Sequence, residues 1–119
     1  MFIKSGNDSI FWDKNDAKLL TADGDALDNT EILTACGCDL MSDVLAYVKD
    51  QAVLLTGLVN PQVIRTAVMM DMICIVFVRS KNPTEEMLQL ARDNGIVILS
   101  TDKRLYEACG LLYANGLVN

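Results

Sequence analysis

The second half of the chain repeats one unit three times: a short apolar run, a polar turn, and a stretch with helical spacing. The runs are Ala52–Thr56, Ile73–Val78 and Ile96–Ser100, and the helical stretches open at Asn60-Pro61, Asn82-Pro83 and Thr101-Asp102. Ala52–Thr56 is almost wholly apolar, as a strand covered on both faces must be. Strands alternating with helices of this length read as right-handed βαβ crossovers on a parallel sheet. The predicted fold is therefore α/β, a single small domain with a mostly parallel sheet of about four to five strands flanked by about four helices.

Local signals place the elements. Asp39 suits an N-cap, with Leu40, Val44, Tyr47 and Val48 on one helical face. Asn60 caps the next helix with Pro61 at its first position, and Val63, Ile64, Ala67 and Val68 line its buried side. Asn82 and Glu85 have capping-box spacing, with Pro83 in the first turn and Met87, Leu88 and Ala91 as the apolar stripe. Gly95 matches a left-handed C-terminal cap. Thr101 or Asp102 is expected to start the last helix, whose face is Leu105, Ala108, Cys109 and Leu112 and which should end at Gly116. Upstream, Thr30–Ala35 reads as a strand and Ala17–Ala22 as a short one, separated by the turn signal Asp23-Gly24-Asp25. Residues 1–17 show no clean period and are expected to form an irregular N-terminal arm, anchored by Phe11 and Trp12, ahead of an α/β domain over residues 18–119.

Composition narrows the function classes. The chain has 119 residues and a formal net charge of −6, with ten basic residues spread so that none of their runs exceeds two. Nucleic-acid binding depends on Lys and Arg neutralising phosphates, so neither nucleic acid nor an anionic membrane surface is an expected partner. No apolar run approaches the roughly 20 residues that cross a bilayer, and Met1–Gly6 does not read as a signal peptide, so a cytoplasmic location is expected. There is no histidine, which excludes His-based acid–base chemistry and His-ligated metals. The four cysteines are Cys36, Cys38, Cys74 and Cys109. Cys74 and Cys109 read as small core residues.

Parallel sheets bind ligands beyond the carboxyl ends of their strands. Those ends supply a polar rim of Asp39, Ser42, Thr56, Gly57, Arg79, Ser80, Ser100, Thr101 and Asp102 as candidate ligand-binding residues, where helix N-termini could favour an anion. Helix capping is the competing explanation for Asp39 and Asp102. Neither G-x-x-x-x-G-K-[ST] nor G-x-G-x-x-G occurs, and no catalytic residue is assigned. Asp23-Gly24-Asp25 lacks the further oxygen ligands of a calcium loop and reads as a solvated turn. Glu85-Glu86 is accounted for by the positive end of a helix. Cys36-Gly37-Cys38 supplies two thiols where a zinc or iron–sulfur site usually takes four, so no metal site is assigned, with Cys36 and Cys38 kept as the alternative.

The segments Asp39–Ala46, Val53–Gly57, the strand before Arg79-Ser80, and Ile98–Asp102 together resemble a stand-alone DRTGG domain, over roughly Lys18 to Leu117. The chain departs from the stretch that names the family: the corresponding region, about Asn29 to Ala35, reads Asn-Thr-Glu-Ile-Leu-Thr-Ala. The resemblance implies similarity to the non-catalytic N-terminal domain of HPr kinase/phosphorylase and to modules found beside regulatory domains in some pyrophosphatases. It also implies an association of small stand-alone versions with iron-only hydrogenase components. It carries over no catalytic residue.

The expected function is accordingly a non-catalytic regulatory or interaction module, sensing a small anionic or nucleotide ligand or a protein partner and acting as a homodimer. No cofactor is expected. The alternative is an accessory protein for iron-only hydrogenase or iron–sulfur and redox chemistry through Cys36 and Cys38.

Overall fold

Val53, Leu54 and Leu55, together with Ile75, Val76 and Phe77, are fully buried, and successive side chains along each strand point to opposite faces. Only a sheet covered on both sides satisfies such a pattern. The computed structural model describes residues 3–4, 10–12, 18–21, 32, 34–47 and 52–114. Its strands are β1 (Ile3–Lys4), β2 (Ile10–Trp12), β3 (Lys18–Leu19), β4 (Thr34–Gly37), β5 (Ala52–Thr56), β6 (Cys74–Phe77) and β7 (Val97–Ser100). Its helices are α1 (Met41–Tyr47), α2 (Pro61–Met69), α3 (Glu85–Asp93) and α4 (Leu105–Ala114).

The main sheet has the order β3-β7-β6-β5-β4. Strands β4 to β7 are parallel, and β3 adds to the β7 edge antiparallel, with Lys18 beside Ser100. Because consecutive parallel strands are neighbours, the right-handed rule puts all three crossover helices on one face. Met41 and Val44 of α1, Val63, Ile64 and Ala67 of α2, and Met87 and Ala91 of α3 pack there on Leu54, Ile75, Phe77 and Ile98. The other face is covered by α4, whose Ala108 and Leu112 pack with Ile32 on Val53, Leu55, Val76 and Leu99. The α/β class, the mostly parallel sheet and the four helices follow the sequence pattern.

Boundaries differ from the sequence expectation where a competing partner wins. The strand expected over Thr30–Ala35 runs on to Gly37, because its described part, Thr34–Gly37, takes its register from β5, with Thr34 beside Ala52 and Gly37 beside Leu55; Thr30, Glu31 and Leu33 lie outside the described residues. Asp39 is not a helix cap: its carboxylate is taken by the neighbouring strand end, and Leu40 stands 58% exposed before α1. The cap of α3 is Thr84, whose Oγ1 accepts from Met87 N at 3.2 Å, two residues after Asn82. The last helix starts at Leu105, because Thr101 turns back on itself, its Oγ1 accepting from Lys103 N. Asn60 does cap α2, accepting from Gln62 N at 2.9 Å.

Two helices end in the same way. Gly95 (φ 70°) follows α3, with Ile96 N donating to Ala91 O and Gly95 N to Arg92 O. Asp71 (φ 53°) follows α2, with Met72 N donating to Ala67 O and Asp71 N to Val68 O. Both are Schellman caps, and Asp is among the few residues that tolerate the left-handed position.

Within the arm, β1 and β2 pair antiparallel. The Asp23-Gly24-Asp25 turn, Asn29–Glu31 of the altered signature, and Gly116 lie outside the described residues. Among the described residues no helix is long and apolar enough to cross a membrane.

Candidate functional site

Parallel pairing aligns the carboxyl ends of the strands. Thr56 lies beside Phe77 and Phe77 beside Ser100. The ladders run one step further, through Cys38 N to Leu55 O, Val78 N to Thr56 O, and Thr101 N to Phe77 O. Asp39, Thr56-Gly57, Arg79-Ser80 and Ser100-Thr101 therefore emerge at one edge. No two of these groups are adjacent in sequence.

The β4–β5 half of this edge is organised by Asp39. Its Oδ1 accepts from Thr56 Oγ1 and from Gly57 N, both at 2.8 Å. Thr56 is fully buried, and its Oγ1 in turn accepts from Leu58 N at 3.1 Å. A buried hydroxyl needs partners, and here it has one on each side. Asp39 itself is exposed, and its second carboxylate oxygen has no partner among the described residues.

The β6–β7 half is organised by backbone. Arg79 N donates to Lys103 O and Ser80 N to Thr101 O, both at 2.8 Å, and Ser100 Oγ donates to Lys81 O at 3.2 Å. These bonds lash the loop after β6 to the loop after β7. They require Arg79 (φ 57°) and Ser80 (φ 55°) both to adopt the left-handed conformation. That conformation costs a non-glycine residue roughly 1–2 kcal/mol, and such outliers cluster at ligand clamps.

The two halves meet at Gly57. The Arg79 guanidinium lies against this glycine so closely that a Cβ there would collide with it. The same glycine donates its amide to Asp39. Arg79 is exposed, and among the described residues it makes no ion pair; Arg92, by contrast, pairs with Glu85 at 3.0 Å. Four of the ten basic residues, Arg79, Lys81, Lys103 and Arg104, sit on the two lashed loops, where Asp102 is the one acidic residue. Read linearly, these residues form no cluster; the backbone bonds between the loops assemble them.

Of the rim residues expected from the sequence, Asp39, Thr56, Gly57 and Arg79 converge on one point. Ser80, Ser100 and Thr101 build the loop pairing beside it, and Asp102 is exposed in the second loop. Ser42 is exposed on α1, and no hydrogen bond joins it to the group among the described residues. Lys81, Lys103 and Arg104 were missed, because spacing along the chain carries no information about which loops pair. A surface groove between α2 and α3, lined by Arg65, Glu86, Gln89, Leu90 and Asp93, includes no strand-end residue, and its two carboxylates would oppose an anion.

The thiols follow burial. Cys74 is fully buried, and desolvation pushes its pKa far above the usual thiol value. Cys36 is raised by partial burial and then by Cys38, Cys109 and Asp43, and Cys109 by partial burial. Cys109 is therefore half-buried rather than a core residue, and its Sγ lies 2.5 Å from where a Cβ on Gly37 would stand. Among the described residues no group of three or more Cys, Asp or Glu is arranged to hold a metal ion.

No protein-family model and no curated protein matches the chain. Its fold does match a solved one. The crystal structure of the CBS and DRTGG domains of the regulatory region of Clostridium perfringens pyrophosphatase, complexed with its activator diadenosine tetraphosphate, superposes with a TM-score of 0.58 at 13% identity. The match covers 66% of this chain and 34% of that one, so the chain spans about a third of the length of its structural neighbour. The likeness supports a DRTGG-like fold.

Proposed function

We propose that this domain is a non-catalytic regulatory module that senses a small anionic ligand, of the nucleotide class, at the carboxyl edge of its sheet. The observation that carries the reading is the gathering of Arg79, Lys81, Lys103 and Arg104 onto two hydrogen-bonded loops of a protein whose net charge is −6. Cations collected against the overall charge raise the local concentration of anions. Guanidinium groups add bidentate recognition of phosphate. The structural neighbour is a regulatory region complexed with a polyanionic nucleotide activator, which agrees with the reading.

A ligand that binds the native state must stabilise it. Diadenosine tetraphosphate, ATP and inorganic phosphate are therefore tested by thermal melting at low salt, on the native protein and on an Arg79→Ala/Lys103→Ala variant. A rise in Tm with at least one of the three, lost in the variant and reduced at high salt, is expected. No rise with any of them rejects the reading.

The module is proposed to act as a homodimer. Leu40, just before α1, and Leu45, on α1, stand 58% and 40% exposed. Neighbouring exposed apolar side chains mark surfaces that pair with another chain. Monomer alone in light scattering at micromolar concentration removes this part. A second reading, accessory redox or iron–sulfur chemistry through Cys36 and Cys38, is favoured by one observation, the approach of Cys109 to the intervening Gly37. Iron and zinc below stoichiometric amounts after anaerobic purification reject it.

A further inference from the structure

The anion-sensing reading accounts for Arg79 and the lashed loops, but not for the carboxylate that faces the same point. Asp39 Oδ1 is held by Thr56 Oγ1 and Gly57 N at 2.8 Å each, which orients the carboxyl group and leaves its other oxygen without a partner among the described residues. The Arg79 guanidinium packs on the same glycine. Yet the two make no ion pair, although both are exposed and opposite in charge. A positioned acceptor and a positioned cation thus stand on either side of a backbone floor without a side chain.

For a bare oxyanion this arrangement is poor, because the Asp39 charge opposes what Arg79 attracts. It becomes favourable when the ligand brings hydroxyl donors along with its negative group. An ionised carboxylate accepts only, and it discriminates sharply between a ligand with a hydroxyl and one without. We propose that Asp39 is the specificity-determining residue of this site, receiving hydroxyl groups of the ligand while Arg79 receives its phosphate, so that the ligand class is a phosphate ester of a polyol rather than a simple anion. This inference rests on the anion-sensing reading and narrows it. Its chemistry is common to a free sugar phosphate and to a ribonucleotide.

The test uses the full chain and calorimetric titration at fixed ionic strength. The probes are ribose 5-phosphate, AMP, 2′,3′-dideoxy-AMP and inorganic phosphate. Native protein is expected to bind AMP at least about tenfold tighter than the dideoxy analogue, the value of one hydrogen bond to a charged group. Equal affinity for ribose 5-phosphate and AMP assigns a sugar phosphate, and tighter AMP assigns a nucleotide. Asp39→Asn keeps an oxygen that accepts from Thr56 and Gly57, so the fold is retained, as an unchanged Tm checks. In that variant the ratio should fall below about threefold while inorganic phosphate gains affinity. Arg79-dependent binding without hydroxyl discrimination, or discrimination unchanged in Asp39→Asn, overturns this inference alone. Binding of none of the four probes overturns it together with the reading beneath it.

Discussion

The carboxyl edge of the sheet is finished in two different ways. Between β4 and β5 a side chain does the work: Asp39 reaches 17 and 18 residues along the chain to hold Thr56 Oγ1 and Gly57 N. Between β6 and β7 the backbone does it, through Arg79 N to Lys103 O and Ser80 N to Thr101 O, with two residues in the left-handed region. The first solution leaves a carboxylate at the surface and its backbone relaxed. The second holds its loops mainly through the backbone, at the cost of strain in two residues, and leaves the Arg79 guanidinium outside any ion pair among the described residues. A binding surface is easier to build from the second kind, because side chains that do not hold the fold are available to hold something else.

Substitutions at the two glycines, and at the strained arginine, sharpen this contrast. The largest effect is expected at Gly37→Ala. Its new Cβ would meet Cys109 Sγ at 2.5 Å and Leu105 Cδ1 at 3.5 Å, short side chains of a helix packed on the core. Overpacking of this kind costs about 1–3 kcal/mol. Denaturant titration should show a lower midpoint at unchanged slope, and an unaltered midpoint would mean that α4 floats freely on the β4 edge.

Arg79→Gly acts in the opposite direction. Glycine adopts φ 57° without a steric penalty, so stability should rise by about 0.5–1 kcal/mol while the anion-dependent rise in Tm disappears. A fall in stability would show that the guanidinium is a structural clamp on Gly57, and the division between structural and free side chains would fail. The smallest stability effect is expected at Gly57→Ala. What its Cβ meets is the far end of a flexible arginine, which swings aside. Stability should change by less than about 0.5 kcal/mol, with the anion response reduced because the guanidinium is displaced. Loss of stability equal to that of Gly37→Ala would erase the difference between the two halves.

Much of the fold was legible because it is written in local periodicity. The apolar runs at Ala52, Ile73 and Ile96, the Asn60-Pro61 start and the Gly95 stop each depend on neighbours a few residues away. The errors fell where another group took the expected bond, a distant one for Asp39 and a nearby one for Asn82. Asp39 reads as a cap for the helix that follows, but the Gly57 amide takes its carboxylate. Asn82 and Glu85 have capping spacing, but Thr84 holds the bond to Met87 N. Cys109 has the spacing of a core position and turns out half-buried against Gly37.

Chain order and hydrophobic spacing alone were enough to decide a parallel α/β layer with helices over it, since burial of short apolar runs on both faces admits few other solutions. Which strand ends stand side by side was decided only in three dimensions. Arg79 and Lys103 lie far apart in a chain that looks evenly charged, and the pairing of their loops makes them neighbours. Periodicity is a property of adjacent residues, whereas a site is a property of the ends of strands, and register between strands is what joins the two.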